Sequence, residues 1–361
     1  MCARKTAKLD ISKVDQNMQI KQADDNGLAW YSADEKPLEL VGFNWYHQDK
    51  IFRRMPLKTE EPLPEGVEWL AWHCAGGQLR FRSDSSRLML KAEIRNKELM
   101  DHMTQTGSNG FDLYLGGPGP LKYRSSARFK LLETEYNCEL FKESRREMRD
   151  FVINFPLYNG VNKFAIGLDA GCAIEAPAAW SDKRKIAVYG SSITQGGCAS
   201  RPGMAYTNIL SRDLKMPVYN YGFSGSGRGE PIVAKCLAEI QDVSLFILDY
   251  EANCHQPGGL ETTLPVFIDI LRVKHPVTPI LVVSRINYSV NDERLSERRE
   301  IQHNEVKRRH AAGDKNIYFL DGDCLLERDY DECTVDGVHP NDLGFYRMAK
   351  NMAPTIRKIV T

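Results

Sequence analysis

The sequence carries no net charge, no paired-cysteine spacing and no long apolar run, and each lack removes a class of function. Its 48 Lys and Arg balance 48 Asp and Glu, so no field draws it to nucleic acid or to an anionic membrane, and a small neutral partner suits it better. Nine cysteines are an odd set without CxxC spacing, which spells neither a complete disulfide framework nor a zinc site. They read as reduced, mostly buried thiols. The eight histidines are dispersed, so neither a metal nor another cofactor is expected. Met1-Cys2-Ala3-Arg4-Lys5 lead into Lys8, Asp10 and Lys13 with no apolar stretch, so no signal peptide or membrane span is visible. The expectation is a cytoplasmic chain, or an extracytoplasmic one if a leader was removed beforehand.

What is present is enough for two cores. The chain has 361 residues with 42% hydrophobic and 27% charged ones, a soluble globular composition. From Gly27 to Ala178 the texture is that of strands. Leu88, Leu90, Ala92 and Ile94 alternate with Met89, Lys91, Glu93 and Arg95, one face dry and the other wet. Turn signals at Gly76-Gly77, Gly107-Ser108-Asn109-Gly110, Gly116-Gly117-Pro118-Gly119-Pro120 and Asn159-Gly160 point to an antiparallel sandwich with little helix. Cys138 to Arg149 is too charged to decide between strand and helix.

The pattern changes around Ala176–Asp182. Short apolar runs at 186–189, 218–221, 245–248, 280–283 and 317–320 then alternate with amphipathic stretches near 204–215, 230–240, 261–274, 294–311 and 343–358. The expected division is an extension over 1–25, a β-sandwich over 26–178 and an α/β domain over 179–361. Strict strand–helix alternation implies a parallel sheet covered on both faces, with its active site outside the carboxyl ends of the strands.

The residues following those strands carry the candidate chemistry. Gly190-Ser191-Ser192 follows the first, Gly222-Phe223-Ser224-Gly225 the second and Tyr250-Glu251-Ala252-Asn253 the third. A serine in a tight strand-to-helix turn presents its hydroxyl outward as a nucleophile, and its own N–H can face a developing negative charge. Gly225 lets backbone approach the reacting carbonyl and the Asn253 amide can donate, completing an oxyanion pocket with Ser192. Asp336-Gly337-Val338-His339 supplies the base, the carboxylate holding one imidazole nitrogen while the other faces Ser192.

Those residues resemble the motifs of the SGNH, or GDSL-type, hydrolase superfamily, in order across 184–361. The resemblance implies that Ser192, His339 and Asp336 are catalytic and that Ser192, Gly225 and Asn253 form the oxyanion hole. Ser191 stands where that family usually has Asp, and Glu251-Ala252-Asn253-Cys254 where it usually has Gly-x-Asn-Asp. Gly110-Phe111-Asp112-Leu113-Tyr114 matches the Gly-x-Asp-Leu-Tyr signature of a β-sandwich domain that precedes one carbohydrate-esterase-like branch. The implied fold is a three-layer α/β/α, flavodoxin-like domain behind an all-β, jelly-roll-like sandwich. The implied activity is hydrolysis of small acyl esters, chiefly O-acetyl on a carbohydrate. Transfer to another alcohol, and a carbohydrate-binding protein on a hydrolase scaffold, are the alternatives. The partner is a small-molecule or oligosaccharide ester; the oligomeric state is open.

Other features have plainer readings. Gly225-Ser226-Gly227-Arg228-Gly229 lacks the Lys-Ser or Lys-Thr of a phosphate loop. Adjacent Cys254 and His255 rarely face each other productively, so Cys254 lines or underlies the pocket. His303 and His310 lie in a charged helix, as solvated surface. Trp45, Tyr46 and His47 could reach a sugar but read first as core packing, and Arg53 and Arg54 could clamp a carboxylate but read first as exposed surface.

Overall fold

The computed structural model describes residues 21–97, 99–117, 119–256, 258–287 and 294–360. Of the expected N-terminal extension, residues 1–20 lie outside that set. The first half forms the strands β1 (Leu28–Ser32), β2 (Glu39–Val41), β3 (Gln78–Ser83), β4 (Arg87–Ile94), β5 (Asp112–Gly117), β6 (Gly119–Ser126), β7 (Glu135–Lys142), β8 (Arg149–Asn154), β9 (Val161–Asp169) and β10 (Ile174–Glu175). They pair antiparallel into two sheets, one ordered β1-β9-β4-β7 and the other β10-β3-β8-β5-β6 with β2 beside β3. In β4 the alternation of the sequence becomes the alternation of burial: Leu88, Leu90, Ala92 and Ile94 point inward and their neighbours do not. The undecided segment, Cys138 to Arg149, resolves into the end of β7, a connection over 143–148 and the first residue of β8, and in β7 Tyr136, Cys138 and Leu140 are buried between exposed Glu135, Asn137 and Glu139.

One apolar cluster joins both sheets, which makes the half a sandwich. Its centre is aromatic, with Phe81 stacked on Phe151 at 4.9 Å between ring centroids and Phe155 on Phe164 at 4.7 Å. Three short helices interrupt the strands: α1 (Tyr46–Asp49), α2 (Glu65–Leu70) and α3 (Gln105–Ser108).

The second half alternates β11 (Lys185–Gly190), α4 (Ser192–Gln195), α5 (Tyr206–Leu214), β12 (Val218–Gly222), α6 (Pro231–Ala238), β13 (Val243–Asp249), α7 (Gly259–Lys274), β14 (Ile280–Val283), α8 (Leu295–Ala311), β15 (Ile317–Leu320) and α9 (Asp342–Val360). All strand pairs are parallel, in the order β12-β11-β13-β14-β15. Ile186, Val188, Leu245 and Ile247 face α5 and α9, through Leu210, Met348, Met352 and Ile356. Ala187, Tyr189, Phe246 and Leu248 face α6 and α7, through Val233, Leu237, Leu264 and Phe267. Because β11 has β12 on one side and β13 on the other, the strand order reverses at β11. A crevice opens there at the carboxyl ends.

The segment between β2 and β3 lies against the parallel sheet: Met55, Leu63, Val67 and Leu70 share a core with Tyr189, Tyr221 and Phe223. Here the structure corrects the reading of two arginines as exposed surface. Arg53 is buried and clamps the exposed carboxylate of Glu68 in a two-pronged pair of 2.8 and 2.7 Å. Arg54 is wholly buried and donates to the carbonyls of Leu70, His73, Asn220 and Gly222 at 2.6–3.1 Å. Five fixed donors meet the acceptors of two chain segments at once, which is why an arginine sits there.

The Gly-x-Asp-Leu-Tyr motif is a second fastening. Buried Asp112 accepts from Asn154 at 2.7 Å on one oxygen, and from the Gly203 N–H at 2.8 Å and Arg201 at 3.0 Å on the other. Arg201 also donates to the Tyr114 hydroxyl at 2.6 Å. The motif thereby ties the sandwich to the loop that follows α4. Among the described residues no helix is long and apolar enough to cross a membrane.

Candidate active site

Ser192 opens α4 immediately after β11. Gly190 is needed there, because a Cβ would lie 2.0 Å from Thr194 Oγ1 and 2.5 Å from the Asp249 carbonyl. Ser191 caps the turn, its Oγ accepting from the Ile193 N–H at 3.3 Å. It thus performs the local capping that an Asp at this place would perform. The turn ends at Gly196, whose φ is 110°.

His339 reaches Ser192 from the loop before α9. Its Nε2 lies 2.9 Å from Ser192 Oγ and its Nδ1 2.7 Å from Asp336 Oδ2. The other oxygen of Asp336 accepts from the N–H groups of His339 at 2.7 Å and Val338 at 3.0 Å. Burial works to raise the Asp336 carboxyl, but these N–H groups and the imidazole outweigh it and hold the group below the usual carboxylate range. An ionised Asp336 keeps the His339 proton on Nδ1. Nε2 is then left with a lone pair toward the Ser192 hydroxyl.

Gly225 and Asn253 follow β12 and β13, the two neighbours of β11, at the same end of the sheet. Gly225 occupies the left-handed region at φ 64°, in a turn whose Ser226 and Gly227 N–H groups both donate to Phe223 O. The N–H groups of Ser192 and Gly225 donate to no acceptor among the described residues, and so remain available to a ligand. The Asn253 amide nitrogen donates to Gly227 O at 3.0 Å and Phe223 O at 3.2 Å. It braces the turn that carries Gly225. Beneath it, Glu251 accepts from the Arg285 N–H at 2.8 Å and pairs with Arg298 at 3.3 Å.

The structure adds residues from the sandwich half that the sequence did not single out. Ser224 N–H donates to Gln195 Oε1 at 3.0 Å, which fixes the amide so that its nitrogen donates to His73 Nδ1 at 3.1 Å. His73 is therefore neutral with its proton on Nε2. Burial first, and the Arg54 charge second, push its pKa down to about 3. The Tyr158 hydroxyl donates to the Ser192 carbonyl at 3.3 Å. Trp69, His73, Tyr158, Ser224 and Ser226 line a cavity of about 330 Å³ that both halves of the chain enclose. No local pattern marked His73 or Tyr158, because their partners lie far away in sequence.

The remaining candidates fall elsewhere. The Cys254 thiol is buried and pushed up to about 12, which removes the thiolate a cysteine nucleophile needs. Trp45 packs edge-on against Tyr221, and Tyr46 joins the aromatic core beside Phe52. His303 is exposed and stacks on Phe319, while His310 meets the Ile317 carbonyl at 2.6 Å. The histidines dispersed in sequence do not all stay apart in space: His102, Cys198 and His339 bring one ligand-type atom each within 4.8 Å of one another.

Two family models match the chain. Residues 183–357 match the GDSL-like lipase/acylhydrolase family, and residues 28–174 match GxDLY, the N-terminus of SGNH-hydrolase-type esterases. Among solved structures, a Bacteroides ovatus protein described as a GDSL-like lipase is 32% identical. The match covers 92% of this chain and 98% of that one, with a TM-score of 0.84. The salicylyl-acyltransferase SsfX3 of a tetracycline biosynthetic pathway shares the fold at 18% identity, covering 94% and 100%, TM-score 0.72. A family two carbohydrate esterase from Cellvibrio japonicus does so at 15%, covering 92% and 98%, TM-score 0.61. No curated protein matches the chain.

Proposed function

The chain belongs to the GDSL-like lipase/acylhydrolase family and is a carboxylic ester hydrolase, and from that premise we propose that it removes acetyl groups from the hydroxyls of a carbohydrate with Ser192, His339 and Asp336. The observation that carries this is the unbroken line Asp336–His339–Ser192, with separations of 2.7 and 2.9 Å, beside two backbone N–H groups that have no partner among the described residues. Ser192 Oγ attacks the acyl carbon as its proton passes to His339 Nε2, and the carbonyl oxygen becomes an oxyanion held by the N–H groups of Ser192 and Gly225. Asn253 joins them by sharing one of its two N–H groups. The C–O bond to the sugar then breaks, His339 returns the proton to the leaving alkoxide, and the acetyl group remains on Ser192 Oγ as an ester. Water repeats the cycle and releases acetate.

The carbohydrate part rests on the cavity. Trp69, nearly half exposed, offers a flat apolar face, and the His73 Nε2–H has no partner among the described residues. An aromatic face beside an unsatisfied imidazole N–H suits a ring that carries hydroxyls. The fold is that of family two carbohydrate esterases, which is consistent with the assignment but decides no substrate. The test is a panel of acetylated xylan, acetylated mannan and aryl acetates, read for free acetate with and without an added sugar acceptor. Free acetate should dominate from a polysaccharide. A dominant acylated acceptor would make the protein a transferase, and binding of oligosaccharide without turnover of any ester would leave it a carbohydrate-binding protein.

A further inference from the structure

We infer that His102, Cys198 and His339 form a binding site for a borderline-soft divalent cation, of which Zn²⁺ is the type, and that the bound ion switches the esterase off by occupying its base. Two imidazoles and a thiol are the donor set that selects zinc over magnesium or calcium, which take oxygen ligands. The three ligand atoms lie within 4.8 Å of one another, and the imidazole rings of His102 and His339 are 5.7 Å apart between centroids. Metal–ligand bonds of about 2.0–2.3 Å require the donors to close by roughly 1 Å. His102 can supply that movement, being half-exposed on the connection between β4 and α3.

The surroundings of the three donors give an independent reason. A metal-bound histidine usually gives its second ring nitrogen to a carboxylate, which fixes the tautomer and strengthens the ligand. Both histidines have that partner already. His102 Nδ1 lies 2.8 Å from Asp101 and His339 Nδ1 2.7 Å from Asp336, which leaves the two Nε2 atoms to bind the ion, that of His339 in exchange for its contact with Ser192 Oγ. The third donor is held against the same loop, since the Cys198 N–H donates to Pro340 O, one residue beyond His339, at 3.2 Å.

Binding is a proton exchange. The ion takes the lone pairs of two imidazole nitrogens and displaces the thiol proton of Cys198, so one S–H bond breaks, one S–metal bond forms and one proton leaves to solvent. The site then carries one positive charge, faced by the carboxylates of Asp101 and Asp336. With His339 Nε2 committed to the ion, no lone pair remains to accept the proton of Ser192. This consequence rests on the proposed role of His339 as base; the binding does not.

The test uses metal-free full-length protein titrated with Co²⁺ alone, followed by thiolate-to-cobalt charge-transfer absorption and by displacement with Zn²⁺. One equivalent should generate the absorption in the wild type and in Ser192→Ala, and none should appear in Cys198→Ser. In parallel, Zn²⁺ should inhibit aryl acetate hydrolysis reversibly, with activity restored by a chelator. His102→Ala and Cys198→Ser should keep the metal-free rate and need at least about 10-fold more Zn²⁺ for half inhibition. Absence of the charge-transfer band, or Zn²⁺ inhibition unchanged in both variants, would overturn the site. Full binding with undiminished hydrolysis would overturn the switch and also remove His339 from its role as base. Loss of hydrolysis in Ser192→Ala with binding intact leaves the two claims separable.

Discussion

At the scale of the residue, the members of the candidate site were legible in the sequence and the groups that support them were not. Ser192, Gly225, Asn253, Asp336 and His339 each follow a strand or precede the last helix, and position alone brought them to one rim. Asp249 shows what the sequence hid. It ends β13 as one more acidic residue, yet in the fold it is buried beneath the nucleophile's turn, accepting from Tyr206 at 2.7 Å and Thr194 at 3.0 Å. Burial raises its carboxyl from 3.8 to about 7, with the two hydroxyl donors opposing in part. A folded value above the unfolded one favours the protonated form in the native state. The stability this contributes is complete below the ordinary carboxyl value and is lost as pH rises toward and through about 7. Asp249→Asn keeps an acceptor and cannot ionise. The melting temperature of the wild type should therefore fall relative to that variant across this window and run parallel to it above; parallel curves throughout would show that Asp249 is ionised in the fold.

At the scale of the element, the parallel half was legible because β11 to β14 are buried on both faces, and the edge strand β15 is at least partly buried throughout, so that each reads as a compact apolar run. The runs at 280–283 and 317–320 are the strands β14 and β15 to the residue. The strand β7 was not legible, since Glu135, Asn137 and Glu139 on its wet face mask the period of its dry one. Nor were α1 and α2, which are too short to show a helical period. Their segment is held by Arg54, whose neighbours in sequence give no sign that it would be buried. Arg54→Lys offers three donors from a single point in place of a planar fork and leaves carbonyls of Leu70, His73, Asn220 or Gly222 unpaired. The variant should lose about 3 kcal/mol or more in urea-induced unfolding, since each bond from a charged donor is worth about 1.5–3 kcal/mol. A loss under about 0.5 kcal/mol would mean that this arginine is not what joins the segment to β12.

At the scale of the whole molecule, the proposed mechanism needs both halves: the parallel sheet would supply the reacting groups and the sandwich half the wall that faces the substrate. Trp69→Ala should raise KM for an acetylated oligosaccharide several-fold while leaving turnover of p-nitrophenyl acetate within about twofold, because a stacking face acts on the sugar and not on the acyl carbon. An unchanged KM would place the sugar elsewhere. This partnership was the least legible part of the protein, since Tyr158 meets Ser192 and His73 meets Gln195 across more than thirty and more than a hundred positions of sequence. Beneath it stands the claim that Ser192 carries the acyl group. The most direct measurement is acetate release from an acetylated oligosaccharide by wild type and Ser192→Ala at matched folded concentration. The expected result is a fall of at least about 10⁴-fold with an unchanged melting profile, and a variant that still released acetate at a comparable rate would contradict Ser192 as the nucleophile.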